Sequence, residues 1–80
     1  MKAKDLNMRK FLFEWLRYHE NCALLDMELE NSPEQHIFQV FGIMDYLKRA
    51  GFITGSTESR ICTHFENLAV CFEYSIPVYN

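Results

Sequence analysis

Eighty residues with a formal net charge of −3, 49% apolar and 15% aromatic side chains, fit a single domain spanning residues 1–80. No apolar run approaches the roughly 18 residues of a membrane span, and Met1-Lys2-Ala3-Lys4-Asp5 lacks the apolar stretch of a secretory leader. Three cysteines, an odd number without Cys-x-x-Cys spacing, argue against a disulfide framework and for a reducing, cytoplasmic setting.

The first predicted element is a helix from about Asp5 to His19. Met8, Leu12, Trp15 and Leu16 recur at three- and four-residue steps, with Phe11 and Tyr18 on a flank. Asp5 or Asn7 supplies a cap for its start, and Asn21-Cys22 breaks the pattern. Ala23 to Glu30 reads as a short second helix on the strength of its Ala, Leu, Met and Glu, although Leu25, Met27 and Leu29 also alternate as in a strand.

Asn31-Ser32-Pro33-Glu34-Gln35 predicts the start of a third helix. Ser32 stands as N-cap, Pro33 in the first helical position, and Gln35 completes a capping box. Ile37, Val40, Phe41, Met44 and Leu47 then form one apolar stripe, which ends at Gly51, a left-handed stop. After Phe52-Ile53-Thr54 and a Gly-Ser-Thr turn, two alternating runs, Ser59 to Phe65 and Leu68 to Pro77, predict a β-hairpin turning at Glu66-Asn67. In that register Arg60 faces Glu73, and Cys62 faces Cys71 with His64 nearby.

Helix, short helix, turn, longer helix and hairpin is the order of a winged helix-turn-helix domain. Asp45-Tyr46-Leu47-Lys48-Arg49-Ala50-Gly51-Phe52-Ile53 resembles the end of a recognition helix in that family. There a core-facing leucine precedes a basic pair, a glycine stop and two apolar residues that open the wing. The resemblance spans roughly residues 6–77 in layout but rests on those nine residues. It implies an α+β, winged-helix-like fold of two to three helices followed by a C-terminal β-hairpin. It does not fix the ligand.

Charge bears on the ligand. Residues 1–18 carry a net +3 (Lys2, Lys4, Arg9, Lys10 and Arg17 against Asp5 and Glu14). Residues 19–46 carry −6, from Glu20, Asp26, Glu28, Glu30, Glu34 and Asp45 with no lysine or arginine. DNA-binding members of the resembled family need bases on the second and third helices to neutralise phosphates. Here that stretch is acidic, which disfavours nucleic acid.

With the long helix's stripe turned to the core, its outward face shows Gln35, Phe38, Gln39, Gly42, Asp45, Tyr46 and Arg49. Phe38 and Tyr46 suit anchors for a protein surface, and the amides of Gln35 and Gln39 suit adenine edges. Seven Phe, four Tyr and one Trp are also more than a core of this size readily hides, which favours a protein partner or a homodimer. Cys22, Cys62, Cys71 and His64 match no metal-ligand spacing, and no nucleophile turn, phosphate loop or carboxylate pair is present. The sequence therefore predicts no enzyme, cofactor, metal or membrane association. It predicts a small regulator that binds protein, an inhibitor or effector of the kind mobile elements encode. The second reading is a winged-helix DNA-binding regulator using Gln35, Gln39, Arg49, the wing and the basic N-terminus.

Overall fold

The computed structural model describes residues 3–78. Lys2, one of the basic residues noted above, lies outside them. No glycine or proline interrupts residues 3–28, and this stretch folds as one helix, α1 (Ala3–Glu28). The break expected at Asn21-Cys22 does not occur. Neither residue removes a backbone donor or forces a left-handed turn, and Ala23 just beyond them is fully buried in the core. The helix begins ahead of Asp5 and Asn7, so neither caps it.

The second helix, α2 (Glu34–Arg49), starts close to where the sequence places it, but with a different cap. Pro33 occupies the N-cap and its carbonyl accepts the first helical bonds, from the His36 and Ile37 N–H groups. Ser32 Oγ accepts only the Glu34 N–H, at 3.3 Å, so the expected capping box is not formed.

The larger correction concerns the C-terminal third. Most of the residues read as a hairpin, Ser59 to Glu73, belong to a single helix, α3 (Gly55–Glu73), Tyr74 to Pro77 follow it as turn and loop, and no strand occurs among the described residues. The α+β winged-helix expectation is therefore replaced by an all-helical, three-helix fold. Thr54 sets the start of α3, its Oγ1 accepting the Thr57 N–H at 3.1 Å. Ile61, Phe65, Leu68 and Phe72 then follow the four- and three-residue steps of one helical face. Cys62 and Cys71, nine residues apart, fall on opposite sides of α3 about 13 Å apart along its axis, and all three cysteines are unbonded. Arg60 and Glu73 are separated by about 20 Å of helix and form no pair.

All three helices end the same way. Glu30, Gly51 and Ser75 take positive φ angles of 61°, 84° and 55°. The next residue in each case donates its N–H back five positions: Asn31 to Asp26, Phe52 to Leu47 and Ile76 to Cys71. This closure satisfies carbonyls that the helix end leaves open. The glycine stop read at Gly51 is thus present. At Glu30 and Ser75 the same conformation is imposed on side chains that disfavour it.

Ala23, Ile37, Val40, Met44, Leu47, Phe65 and Leu68 form the core, with Leu12, Trp15 and Leu16 of α1 packed against it. α2 packs on both other helices, and α1 and α3 meet each other least. The cross-helix polar contacts are His36–Asp26 at 3.2 Å, Lys48–Glu58 at 3.1 Å and His64–Glu20 at 2.6 Å. At about 39 Å, α1 accounts for most of the 42 Å long dimension of the molecule and outruns its shorter neighbours. No helix among the described residues is long and apolar enough to cross a membrane.

Candidate functional site

The side of α2 that faces the core is aliphatic: Ile37, Val40, Met44 and Leu47. Its opposite side carries the residues singled out from the sequence. Gln35, Phe38, Gln39, Gly42, Tyr46 and Arg49 are all exposed, and Asp45 is partly so. Phe38 and Tyr46 keep 62% and 64% of their surface accessible. They sit eight residues apart, about 12 Å along the axis, so both rings stand on one side of the helix. Ile43, 41% accessible, widens the apolar strip. The Phe38 ring lies 6.4 Å from that of half-buried Phe41, a tilted aromatic contact that ties it to the edge of the core.

Gly42 lies between the two aromatics. A glycine in a helix interior costs about 1 kcal/mol relative to alanine. No internal contact explains it, because a Cβ built at Gly42 would meet nothing within 4 Å. The result is a stretch of bare backbone flanked by two aromatic side chains, open to whatever approaches α2. The sequence placed Gly42 on this face, as a glycine inside an otherwise regular helical apolar period.

The polar members of the face differ in availability. Arg49 Nε donates to Asp45 Oδ2 at 3.0 Å, an i,i+4 pair that offsets the guanidinium charge locally. The Gln35 and Gln39 amides make no hydrogen bond within the described residues and are available to a partner.

Elsewhere the chemistry is sparse. Among the described residues no group of three or more His, Cys, Asp or Glu side chains is arranged to hold a metal ion. The Cys62 thiol is pushed up from its ordinary pKa by burial first, then by Glu58 and Glu66, which keeps it protonated and a poor nucleophile. His19 is buried against Trp15, with ring centroids 4.3 Å apart, and lies 5.7 Å from the His36 ring. Burial, and then the neighbouring His36, lower its pKa. A groove of about 590 Å³ opens where the start of α1 meets the end of α2 and the start of α3; Leu12, Leu16, Phe52 and Ile61 line it beside Arg9 and Arg60.

Comparison with known proteins gives no match, neither to a family model nor to a curated protein nor to a solved structure.

Proposed function

We propose that this chain is a non-enzymatic regulator that binds a protein through the outward face of α2. Phe38 and Tyr46 are the anchors, and Gly42 is the point of closest approach. The observation that carries this reading is the exposed aromatic pair flanking a glycine for which the fold has no use. Interfaces draw their energy from a few large side chains that lose their remaining water on binding. Gln35, Gln39, Asp45 and Arg49 surround the anchors as a polar rim able to fix orientation.

Charge bears on the partner at long range only. Residues 19–46 hold six acids and no lysine or arginine, which favours a basic partner over an acidic one, while α2 itself balances Glu34 and Asp45 against Lys48 and Arg49. A small inhibitor or effector acts in this way, by occupying a partner's surface without chemistry of its own. The same charge disfavours duplex DNA, and Arg49, the basic residue closest to the aromatic pair, is already engaged by Asp45.

Affinity capture from the cells that make the protein, with the native chain and a Phe38→Ala/Tyr46→Ala variant in parallel, tests the reading. A protein retained by the native chain and lost by an equally helical variant is the expected result. Equal retention by both contradicts it. An anisotropy titration against mixed-sequence duplex should show no binding at physiological salt. Tight, salt-sensitive binding there replaces a protein partner with nucleic acid.

A further inference from the structure

The groove between the start of α1, the end of α2 and the start of α3 has no part in the reading of the outer α2 face. Leu47, buried, forms its floor, and Leu12, Leu16 and Ile61, partly buried, form its walls. Phe13 and Phe52 line it while keeping 62% and 53% of their surface accessible. Apolar area left in water inside a concavity gains by being covered.

The charges on the groove are of one sign. Arg9 on α1 and Arg60 on α3 both line it and both are exposed. Among the described residues no aspartate or glutamate lines the groove, and neither arginine enters an ion pair. Other bases are engaged: Lys48 by Glu58, Arg49 by Asp45, and Arg17 over the Phe13 ring at 5.9 Å. The residues three and four positions either side of Arg60 are Ser56, Thr57, Thr63 and His64, so its own helix offers it no acid. In a chain of net charge −3 this groove is a basic, apolar recess. Two arginines against Asp5, one turn before Arg9 in the chain, leave an excess of one positive charge, which a monoanion matches.

Size separates the classes of occupant. At about 590 Å³ the groove lies within the range of roughly 300–1,000 Å³ typical of small-molecule sites. Its lining on α1 runs from Met8 to Leu16, about 12 Å of helix. That is too short a tract for the roughly 800 Å² per partner of a stable protein interface.

We infer that this groove binds a small amphiphilic carboxylate, an aliphatic chain carrying one anionic head. The chain covers the leucine and isoleucine floor and walls between the two phenylalanine rings. The head is recognised by the Arg9 and Arg60 guanidiniums, whose planar donors match carboxylate oxygens. The inference does not rest on the function proposed above.

Titration of the full chain with sodium decanoate, kept below its micelle concentration and followed by methyl NMR, tests the site. Shifts at Leu12, Leu16, Leu47 and Ile61 should saturate at one decanoate per chain. Arg9→Gln/Arg60→Gln, both at exposed positions, should weaken binding by about tenfold or more. Lys10→Gln removes a charge beside Arg9 but outside the groove, and should weaken it by less than about twofold. Uncharged decanol should bind about tenfold more weakly than decanoate. Shifts that fail to saturate, or that fall outside the groove, overturn the proposal. So does equal affinity for decanol and decanoate, or an equal loss from Lys10→Gln. Groove shifts that follow protein concentration rather than decanoate would assign the groove to a second copy. Displacement of decanoate by a lower concentration of a short, leucine-rich acidic peptide would assign it to a protein segment. Either result overturns the small-molecule assignment.

Discussion

α2 and α3 bury comparable inner faces and present very different outer ones. Met44 and Leu68 are both among the most deeply buried side chains, and each helix packs its inner face into the same core. Outward, α3 shows Ser59, Arg60, Thr63, His64, Glu66 and Asn67, an ordinary solvated surface that gives way to apolar side chains only near its end, at Val70. α2 shows Phe38, Gly42, Ile43 and Tyr46. The inner faces account for the fold. The outer face of α2 places apolar area in water and an unhelpful glycine in a helix, neither of which the fold requires, and on that asymmetry the functional reading rests.

The comparison breaks first at the core. Met44→Ala and Leu68→Ala should each lower stability by about 2–5 kcal/mol in urea melts, since each removes a fully buried side chain. A loss under about 1 kcal/mol at either position would mean that the two helices do not share one packed interior.

The next effect is read on pH. Because His19 is buried and its pKa is lowered, the unfolded chain takes up a proton before the folded one does. Its contribution is fully present above the ordinary histidine range, near pH 6.5, and declines as pH falls through that range until the folded His19 itself protonates. His36 lies beside it, facing Asp26 at 3.2 Å, so the control that isolates His19 is His19→Phe. That variant should flatten the fall in thermal midpoint between about pH 7 and 5. An unchanged slope assigns the pH dependence to other groups.

Gly42→Ala sharpens the contrast on the outer face. With nothing within 4 Å of the new methyl group, the fold should gain about 1 kcal/mol while partner binding weakens. Tighter binding, or no gain in stability, contradicts the role given to this position. The smallest change expected is at Ser32. Ser32 precedes the N-cap residue Pro33 and accepts one exposed 3.3 Å bond from the Glu34 N–H, so Ser32→Ala should cost no more than about 0.5 kcal/mol. A shift in the urea midpoint too small to resolve would show that the bond contributes nothing.

How much was legible in the sequence follows the same divide between α2 and α3. For α2, Pro33 near the start, a stripe at helical steps and Gly51 at the stop all pointed to one answer, and the outward residues named in advance do share one exposed face. For α3, Ser59-Ile61-Thr63-Phe65 satisfies a period of two, while Ile61, Phe65, Leu68 and Phe72 satisfy the helical period over a longer window. Two features favoured the helix. Glu66-Asn67 lacks the glycine that a tight hairpin turn prefers, and Thr54 with Thr57 marks a helix start rather than a loop. Gly55-Ser56-Thr57 taken as a turn cuts off the start of the helix and leaves the alternation to suggest a hairpin, and the winged-helix layout was built on that hairpin. Along α1, Asn21 and Cys22 looked like a stop because they leave the apolar period. Leaving the period marks a change of face, and only a residue that breaks backbone hydrogen bonding marks an end.

Photo-cross-linking in the cells that make the protein decides whether the outer face of α2 meets a protein. A benzophenone side chain is placed at Tyr46 on the outer face of α2 and, as the comparison, at Thr63 on the outer face of α3. A discrete protein adduct is expected from position 46, abolished by Gly42→Leu in the same chain, and none from position 63. Adducts of equal strength from both positions, or none from position 46 while position 63 reacts, would contradict it.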